Sequence, residues 1–269
     1  MLLLFLKTEI KRAFSRWQIL VAFFLLVLLF IQGIETFRPE THLPGALAFN
    51  NFYVAFLYAQ GMGASAILPG VLPLIIALAA GDSMAWDRRS GYQQFILMRI
   101  SRGKYIIGKL LSASLISVIF IFVSEIFMLI YTFASFPNSE HMQHVNGITP
   151  KYASNLFIED PFLYILLIIL NTSLLAMVVS AMSVMCSIFS KNIYAVIVIP
   201  WIFFFLLQFI FYNINLAKFA PIDLVGLYMN SIFQYSIIEI PFIWITLWLL
   251  LCCITYLVFI RSYKARLLS

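Results

Sequence analysis

The chain has 269 residues, of which 63% are hydrophobic and only 10% are charged, and its formal net charge is +6. A soluble domain carries about 25% charged residues, so this chain has too few polar side chains to cover its surface in water. The composition excludes an ordinary soluble enzyme or binding module. It predicts an integral membrane protein, in which each crossing helix needs roughly 20 apolar residues.

The first predicted element is an amphipathic helix over residues 1–16, lying in the membrane interface. It is followed by a full-length apolar run without a small-residue cleavage site, which predicts an uncleaved first span. We expect the apolar side chains of this helix to face lipid and its cations to face lipid phosphates. The apolar set is Leu2, Phe5, Ile10 and Phe14, and the cationic set is Lys7, Lys11 and Arg12.

Six apolar segments are long enough to cross a bilayer, and the third and fourth are long enough to tilt or protrude. The predicted fold class is therefore an all-α integral membrane protein, with residues 1–269 forming one transmembrane domain without an internal repeat. The three cysteines lie inside apolar runs, which indicates packing residues instead of disulfides. The predicted spans are 17–34, 62–80, 106–133, 162–189, 193–212 and 241–260.

The lysines and arginines orient these spans. With six spans both termini share one side, and that side would hold fourteen of the 17 basic residues. Such an imbalance predicts cytoplasmic termini and a cytoplasmic loop over residues 81–105. The positive net charge is thus a topology signal and does not indicate nucleic-acid binding. The three basic residues outside are Arg38, Lys151 and Lys218.

The cytoplasmic loop between the second and third spans reads GDSMAWDRRSGYQQFILMRISRGK over residues 81–104. It mixes charges with many large apolar side chains, more than a simple connection needs. Exposed apolar residues rimmed by charge favour docking onto another protein or onto the membrane face. Both interpretations are open from the residues alone.

The next segment, GKYIIGK at residues 103–109, has the glycine and lysine spacing of a phosphate-binding loop. That loop also needs a preceding strand and a Ser or Thr after the lysine, whereas Leu110 follows Lys109 and the next element enters the membrane. We therefore predict no nucleotide site in this chain. Gly103 is expected to break the chain before the third span, and the nearby cations are expected to snorkel to lipid phosphates. These interfacial cations are Lys11, Arg12, Arg102, Lys104 and Lys109.

The cytoplasmic loop over residues 81–104 resembles the corresponding loop in permease subunits of the type-2 ABC exporter family. The resemblance lies in DRRSG at residues 87–91, the apolar stretch after it and RISRGK at 99–104. The resemblance extends to the layout of an amphipathic N-terminal helix, six spans and both termini inside. It covers nearly the full chain, although its motifs are loose. The segment 213–240 before the last span is similar to the outer re-entrant hairpin of that family.

The resemblance implies that residues 83–98 contain a coupling helix seated in a groove of a separate ATP-hydrolysing subunit. ATP and Mg would be bound by two such ATPase chains, with no cofactor in this chain. A second permease copy, identical or related, would complete the transporter in the cell membrane of a bacterial cell. The implied ATPase contacts are Asp82, Trp86, Asp87, Arg88, Arg89, Gly91, Tyr92 and Phe95.

Three polar residues inside apolar runs are candidates for a substrate pathway: Glu125, Asn171 and Gln208. A membrane carboxylate is a functional candidate by default, although Glu125 is expected close to the outer interface. The two amides could as easily join helices. His141 and His144 have helical spacing on an outer loop but lack further ligands, so no metal site is predicted.

The sequence contains no nucleophile and base pair at catalytic spacing, so no catalytic residue is predicted. The leading functional expectation is an ABC exporter subunit for an amphipathic or hydrophobic cargo, which fits the aromatic-rich spans. The first choice of cargo is a peptide such as a bacteriocin or other antimicrobial peptide, and a lipid-linked glycan or a drug stays open. Export would serve secretion or self-immunity. The alternative is a six-span protein without an ATPase, such as a channel, sensor or intramembrane enzyme.

Overall fold

The computed structural model describes residues 2–37, 52–61, 63–136, 150, 152–225 and 234–268, and this part of the chain is almost entirely helical. Its regular structure consists of twelve helices, a π-helical turn at Ala77–Gly81 and a 3₁₀ turn at Ala217–Phe219. In chain order the helices are α1 Leu2–Phe14, α2 Trp17–Phe37, α3 Phe52–Gly61, α4 Gly63–Ile76, α5 Ser83–Arg89, α6 Tyr92–Arg99, α7 Arg102–Ser135, α8 Ser154–Glu159, α9 Pro161–Phe189, α10 Ile193–Asn213, α11 Pro221–Val225 and α12 Glu239–Leu268.

Five of these helices are long and apolar enough to cross a membrane: α2, α7, α9, α10 and α12. A sixth crossing is possible by length and composition if Ile67–Gly81 and Ser83–Arg89 form one bent unit, and these two segments meet at 48°. The prediction of an all-α membrane-embedded chain is confirmed at this level. The predicted second span, 62–80, is not one of these five helices. It corresponds to α4 followed by the π-helical turn.

The two prolines of α4, Pro69 and Pro73, lie inside the helix. A proline removes a backbone donor and leaves a carbonyl four residues earlier without its usual partner. Next to Pro69, the Gly70 carbonyl accepts a hydrogen bond from the Trp201 indole N–H at 2.8 Å, which connects α4 with α10. The sharp bend comes later, at Asp82, where the π-helical turn ends.

Helix α9 lies at the centre of the bundle and contacts α4, α7, α10 and α12. Small side chains allow this close approach, as is common between helices in lipid. The Ser117 hydroxyl of α7 donates to Ser180 of α9 at 3.2 Å, and Gly81 lies directly against Ser183. By contrast, α10 and α12 turn many large apolar side chains outward, including Phe209 and Leu250, which suits contact with lipid or another apolar surface.

The N-terminal helix packs partly differently from its predicted orientation. Phe5 is buried and lies 6.0 Å from the Tyr105 ring, measured between centroids, so it faces the bundle instead of lipid. Glu9 and Ala13 are buried on the same face, because residues four apart share one side of a helix. Phe14 is exposed, and Lys7 and Lys11 are exposed as expected.

The first and last helices meet at one end of the bundle. Tyr105 of α7 contacts Phe5 of α1 on one side and Phe259 of α12 on the other, at centroid distances of 6.0 Å in both cases. Near it, Tyr256 of α12 lies against Gly103. We call this the Tyr105 end of the bundle; α5 and α6 also lie there, since Tyr105 bonds to Asp87 of α5.

The segment predicted as a re-entrant hairpin, 213–240, is described only in part. It contains the 3₁₀ turn and α11, and its far end is fixed where Tyr235 forms an isolated parallel bridge with Tyr152. Residues 226–233 lie outside the described residues, so the hairpin stays a prediction. Glu140, His141 and His144 also lie outside them.

Candidate functional site

The short helices α5 and α6 form the candidate site, and a tight turn joins them. Gly91 has φ +75°, a left-handed conformation that glycine adopts without strain. Ser90 closes α5, because its backbone N–H and its hydroxyl both bond to the Trp86 carbonyl, at 2.9 and 2.8 Å. The two helices are seven and eight residues long, so neither can cross a bilayer by itself.

This pair exposes three aromatic side chains, which we call the aromatic patch: Trp86, Tyr92 and Phe95. Their exposed fractions are 40%, 49% and 63%. Met98 extends the apolar surface, and Arg89 is exposed beside it. Other side chains of the pair are buried: Met84, Ala85 and Ile96 pack towards the bundle. The two helices therefore present apolar side chains both inward and outward.

Beneath the patch lies a buried charge cluster, which we define as Glu9, Arg12, Asp87 and Lys109. The Lys109 side chain is fully buried, with its Nζ 2.5 Å from Glu9 Oε2 and 2.6 Å from Asp87 Oδ2. Arg12 Nη2 lies 2.6 Å from the other Asp87 oxygen and 3.4 Å from Glu9 Oε2. Two acids thus face two bases, and the cluster joins α1, α5 and α7 through ion pairs.

Two further contacts extend this connection. The Tyr105 hydroxyl donates to Asp87 Oδ2 at 3.3 Å, and Arg16 Nη1 pairs with Asp82 Oδ1 at 2.7 Å. Between these contacts and the aromatic patch lies an open cleft of about 640 Å³, bordered by Arg12, Arg16, Trp17, Trp86 and Tyr92. The Arg12 guanidinium also stands 5.6 Å from the centre of the Tyr92 ring.

The cluster holds Arg12 in its charged form. Burial by itself lowers the pKa of the guanidinium, but the negative charges of Asp87 and Glu9 and the hydrogen bond to Asp87 outweigh it, so the pKa is raised above its ordinary value. The Arg12 side chain is 32% exposed, so it is a paired cation at the edge of the cluster.

The structure divides the residues predicted to contact an ATPase into two sets. Trp86, Arg89, Tyr92 and Phe95 lie at the surface, and Gly91 forms the turn between them. The other set points inward. Asp82 and Asp87 are 1% and 2% exposed and pair within the chain, and Arg88 donates to the Ser187 carbonyl of α9.

The predicted interfacial cations divide in the same way. Lys11 and Lys104 are exposed and Arg102 is half-buried, whereas Lys109 differs from its prediction because it is fully buried. The reason is that α1 lies across the first turns of α7 and brings Glu9 to the ammonium. The predicted break at Gly103 is also displaced: the chain is extended at Ile100 and Ser101, and Gly103 lies inside α7.

The three predicted pathway residues do not meet. Glu125 is 3% exposed and accepts a hydrogen bond from the Gln60 amide of α3. The Asn171 amide donates to the Tyr152 hydroxyl at 3.1 Å, and Gln208 accepts from the Ile222 backbone N–H at 2.8 Å. Asn171 and Gln208 therefore connect structural elements in this arrangement, while Glu125 belongs to a separate buried site.

Sequence reasoning missed Glu9, Tyr105 and Gln60. A signal existed for Glu9, since it is the single acid in α1 and lies four residues from both Phe5 and Ala13. That spacing puts the three residues on one face. Comparison of the chain with protein-family models gives no matching family, and a search of curated proteins gives no match.

Proposed function

We propose that the chain is the membrane-spanning subunit of an ATP-driven ABC exporter, with the aromatic patch as the contact for a separate ATPase. The observation that carries the proposal is the combination of an exposed aromatic surface on α5 and α6 with ion pairs that join α5 to α1 and α7. An apolar surface on helices too short to cross suits a protein partner. Aromatic and arginine side chains often dominate such contacts.

The charge cluster supports a mechanical role for α5. A force on the patch would act on Asp87, and the 2.6 Å ion pair to Lys109 would pass it to α7. The same carboxylate holds Arg12, so α1 would move with them. Closure of an ATPase around ATP would thus displace a unit of three helices, one of which is a candidate span.

The charge distribution supports an orientation. The Tyr105 end of the bundle contains α1, α5, α6 and the start of α7, where most of the lysines and arginines lie. The positive-inside rule then puts this end and both termini in the cytoplasm, with the protein in the cell membrane of a bacterium. An ATPase would have its ATP on that side.

The outward apolar faces of two helices support transport between copies. The cavity beside Glu125, at about 10 Å³, holds no organic cargo. In this proposal a peptide or other amphipathic cargo moves between this chain and a second permease copy, identical or related. The exposed apolar faces of α10 and α12 provide surface for such a copy.

The proposal predicts that Trp86→Ala/Tyr92→Ala/Phe95→Ala abolishes capture of the ATPase encoded beside this chain. Loss of one interface anchor costs about 2 kcal/mol, or roughly thirtyfold in affinity, so recovery of the ATPase should fall by more than about tenfold. The measurement is pull-down of the tagged permease in detergent, with the ATPase quantified against permease recovered.

The matched control is Phe24→Ala, since Phe24 is 61% exposed on α2, comparable with Phe95, and lies outside the helices proposed to face a second copy. This variant should capture the ATPase like the wild type. The exporter proposal fails if the wild type captures no ATPase. If the triple variant binds as well as the wild type, the contact lies elsewhere on the chain. The buried Asp87 is unsuitable for this test because its replacement would also disturb the charge cluster.

A further inference from the structure

Glu125 is a buried carboxyl group far from the charge cluster. It lies 16 residues after Lys109 on the same helix, or roughly 24 Å along the axis at 1.5 Å per residue. Three helices meet around it: α7 carries Glu125, α3 provides Gln60 and α9 provides Thr172. Its exposed fraction is 3%. Burying a carboxyl group inside a candidate span costs free energy, so such a residue is a candidate for a function.

The surroundings of Glu125 differ from those of the other buried acids. Glu9 and Asp87 each face a cation, whereas none of the described lysines or arginines forms an ion pair with Glu125. The remaining side chains around its cavity are uncharged and do not titrate: Leu26 of α2, Leu68, Pro69 and Leu72 of α4, and Met128 of α7. An isolated buried carboxylate is neutralised by a proton more readily than it is tolerated as a charge.

The hydrogen bonds leave a place for that proton. The Gln60 amide N–H donates to Glu125 Oε2, so Oε1 is the oxygen left to carry a hydrogen. The Thr172 hydroxyl bonds to the carboxyl group and donates to it when the carboxyl is charged. The same hydroxyl lies 3.0 Å from the Ile169 carbonyl, so when its hydrogen points there its oxygen can accept from a protonated carboxyl. The Gln60 carbonyl oxygen is also buried without a partner.

The size of the cavity selects the ligand. A space of about 10 Å³ is at the lower limit for one water molecule. It excludes a cargo group and a hydrated metal cation, and it leaves a proton as the ligand that fits. A single water beside the carboxyl is enough to deliver or remove it.

We propose that Glu125 is a proton-binding site inside the membrane, with Gln60 and Thr172 as its hydrogen-bonding partners. The carboxyl holds the proton while α3, α7 and α9 are closed around it. When these helices separate, water enters, the carboxylate releases its proton to that water, and closure requires a proton to be taken up again. The inference rests on the closed geometry and does not depend on the ATPase contact.

Infrared spectroscopy of the purified full-length chain in phosphatidylcholine vesicles tests this directly. A protonated carboxyl group has a carbonyl stretching band distinct from that of a carboxylate. We expect such a band in the wild type at neutral pH, its disappearance at strongly alkaline pH, and its absence from Glu125→Gln at neutral pH. The control is Glu159→Gln, since Glu159 is an exposed acid on α8; this variant should keep the band.

A second variant tests the inference independently of whether Glu125→Gln folds. Gln60→Leu keeps the carboxyl but removes the amide that donates to its carbonyl oxygen, so the band should move to higher frequency. The inference is overturned if the wild type lacks a protonated-carboxyl band at neutral pH, or if Glu125→Gln keeps it unchanged. An unshifted band in Gln60→Leu would also overturn it, because the proton would then belong to another group.

Discussion

Replacing Lys109 by methionine is expected to destabilise the protein by about 3–5 kcal/mol, the usual cost of removing one partner from a buried ion pair. The ammonium is fully buried and lies within 2.6 Å of both Glu9 and Asp87. Without it, the Asp87 carboxylate keeps Arg12, but Glu9 loses its closest cation. The measurement is the free energy of unfolding in detergent micelles.

A second change separates charge from packing. In Glu9→Gln/Lys109→Met both charges of one pair are removed, while Asp87 still pairs with Arg12 at 2.6 Å. The double variant should therefore recover more than half of the stability lost in Lys109→Met, and the non-additivity measures the coupling between the two residues. If both variants are equally unstable, the loss comes from packing and not from an unpaired carboxylate.

The control for this series is Lys104→Met, which lies on the same helix but is exposed. Surface ion pairs and cations contribute little to stability, about 1 kcal/mol or less. Lys104→Met should therefore unfold close to the wild type. If Lys109→Met and Lys104→Met are equally stable, the Lys109 ammonium reaches solvent or lipid phosphates, as predicted from the sequence.

The fold class could be predicted from the sequence because lipid imposes a simple rule. Every backbone group must be bonded internally, so apolar runs of sufficient length become helices. The bounds of α9 and α10, Pro161–Phe189 and Ile193–Asn213, agree with the predicted spans within one residue. Asp160 and Pro161 explain why α9 begins where it does, since an Asp cap and a Pro in the first turn favour a helix start.

The charge cluster could not be predicted in the same way. Lys109 lies near the beginning of a long apolar segment, where local sequence favours an interfacial cation reaching lipid phosphate. Its actual partners are separated from it by 100 residues for Glu9 and by 22 for Asp87. Pairing over such separations depends on how α1 crosses α7, and hydropathy carries no information on that. The aromatic patch was easier to predict. Trp86, Tyr92 and Phe95 lie in a segment that also carries many charges, which distinguishes them from the aromatic residues of the spans.

Gly81 occupies the tightest contact described for a glycine in this chain. A Cβ atom at this position would lie 2.5 Å from Ser183 Cβ and 2.6 Å from its hydroxyl oxygen. Real contacts of this kind are not that short, and the obstacle is the root of a side chain in the middle of α9. The π-helical turn that ends at Gly81 connects α4 with α5, so the close approach determines where α5 begins.

We therefore expect Gly81→Ala to destabilise the protein by about 2–3 kcal/mol, towards the upper part of the range for overpacked sites. Gly103→Ala is the matched control. Its added Cβ would meet only the Tyr256 hydroxyl at 3.3 Å, the far end of a side chain that can move, so it should cost less than about 1 kcal/mol. The comparison uses the same unfolding measurement for both variants.

Adding Ser183→Gly to Gly81→Ala should restore most of the lost stability, since it removes both atoms that the new methyl group meets. The recovery will be incomplete, because a glycine inside α9 costs about 1 kcal/mol and the Ser183 hydroxyl loses its 3.2 Å bond to the Val179 carbonyl. Ser183→Gly alone should therefore be mildly destabilising in the wild type and stabilising beside Gly81→Ala. That reversal of sign is specific to a direct contact. Its absence would mean that the π-helical turn and α9 do not approach each other at Gly81.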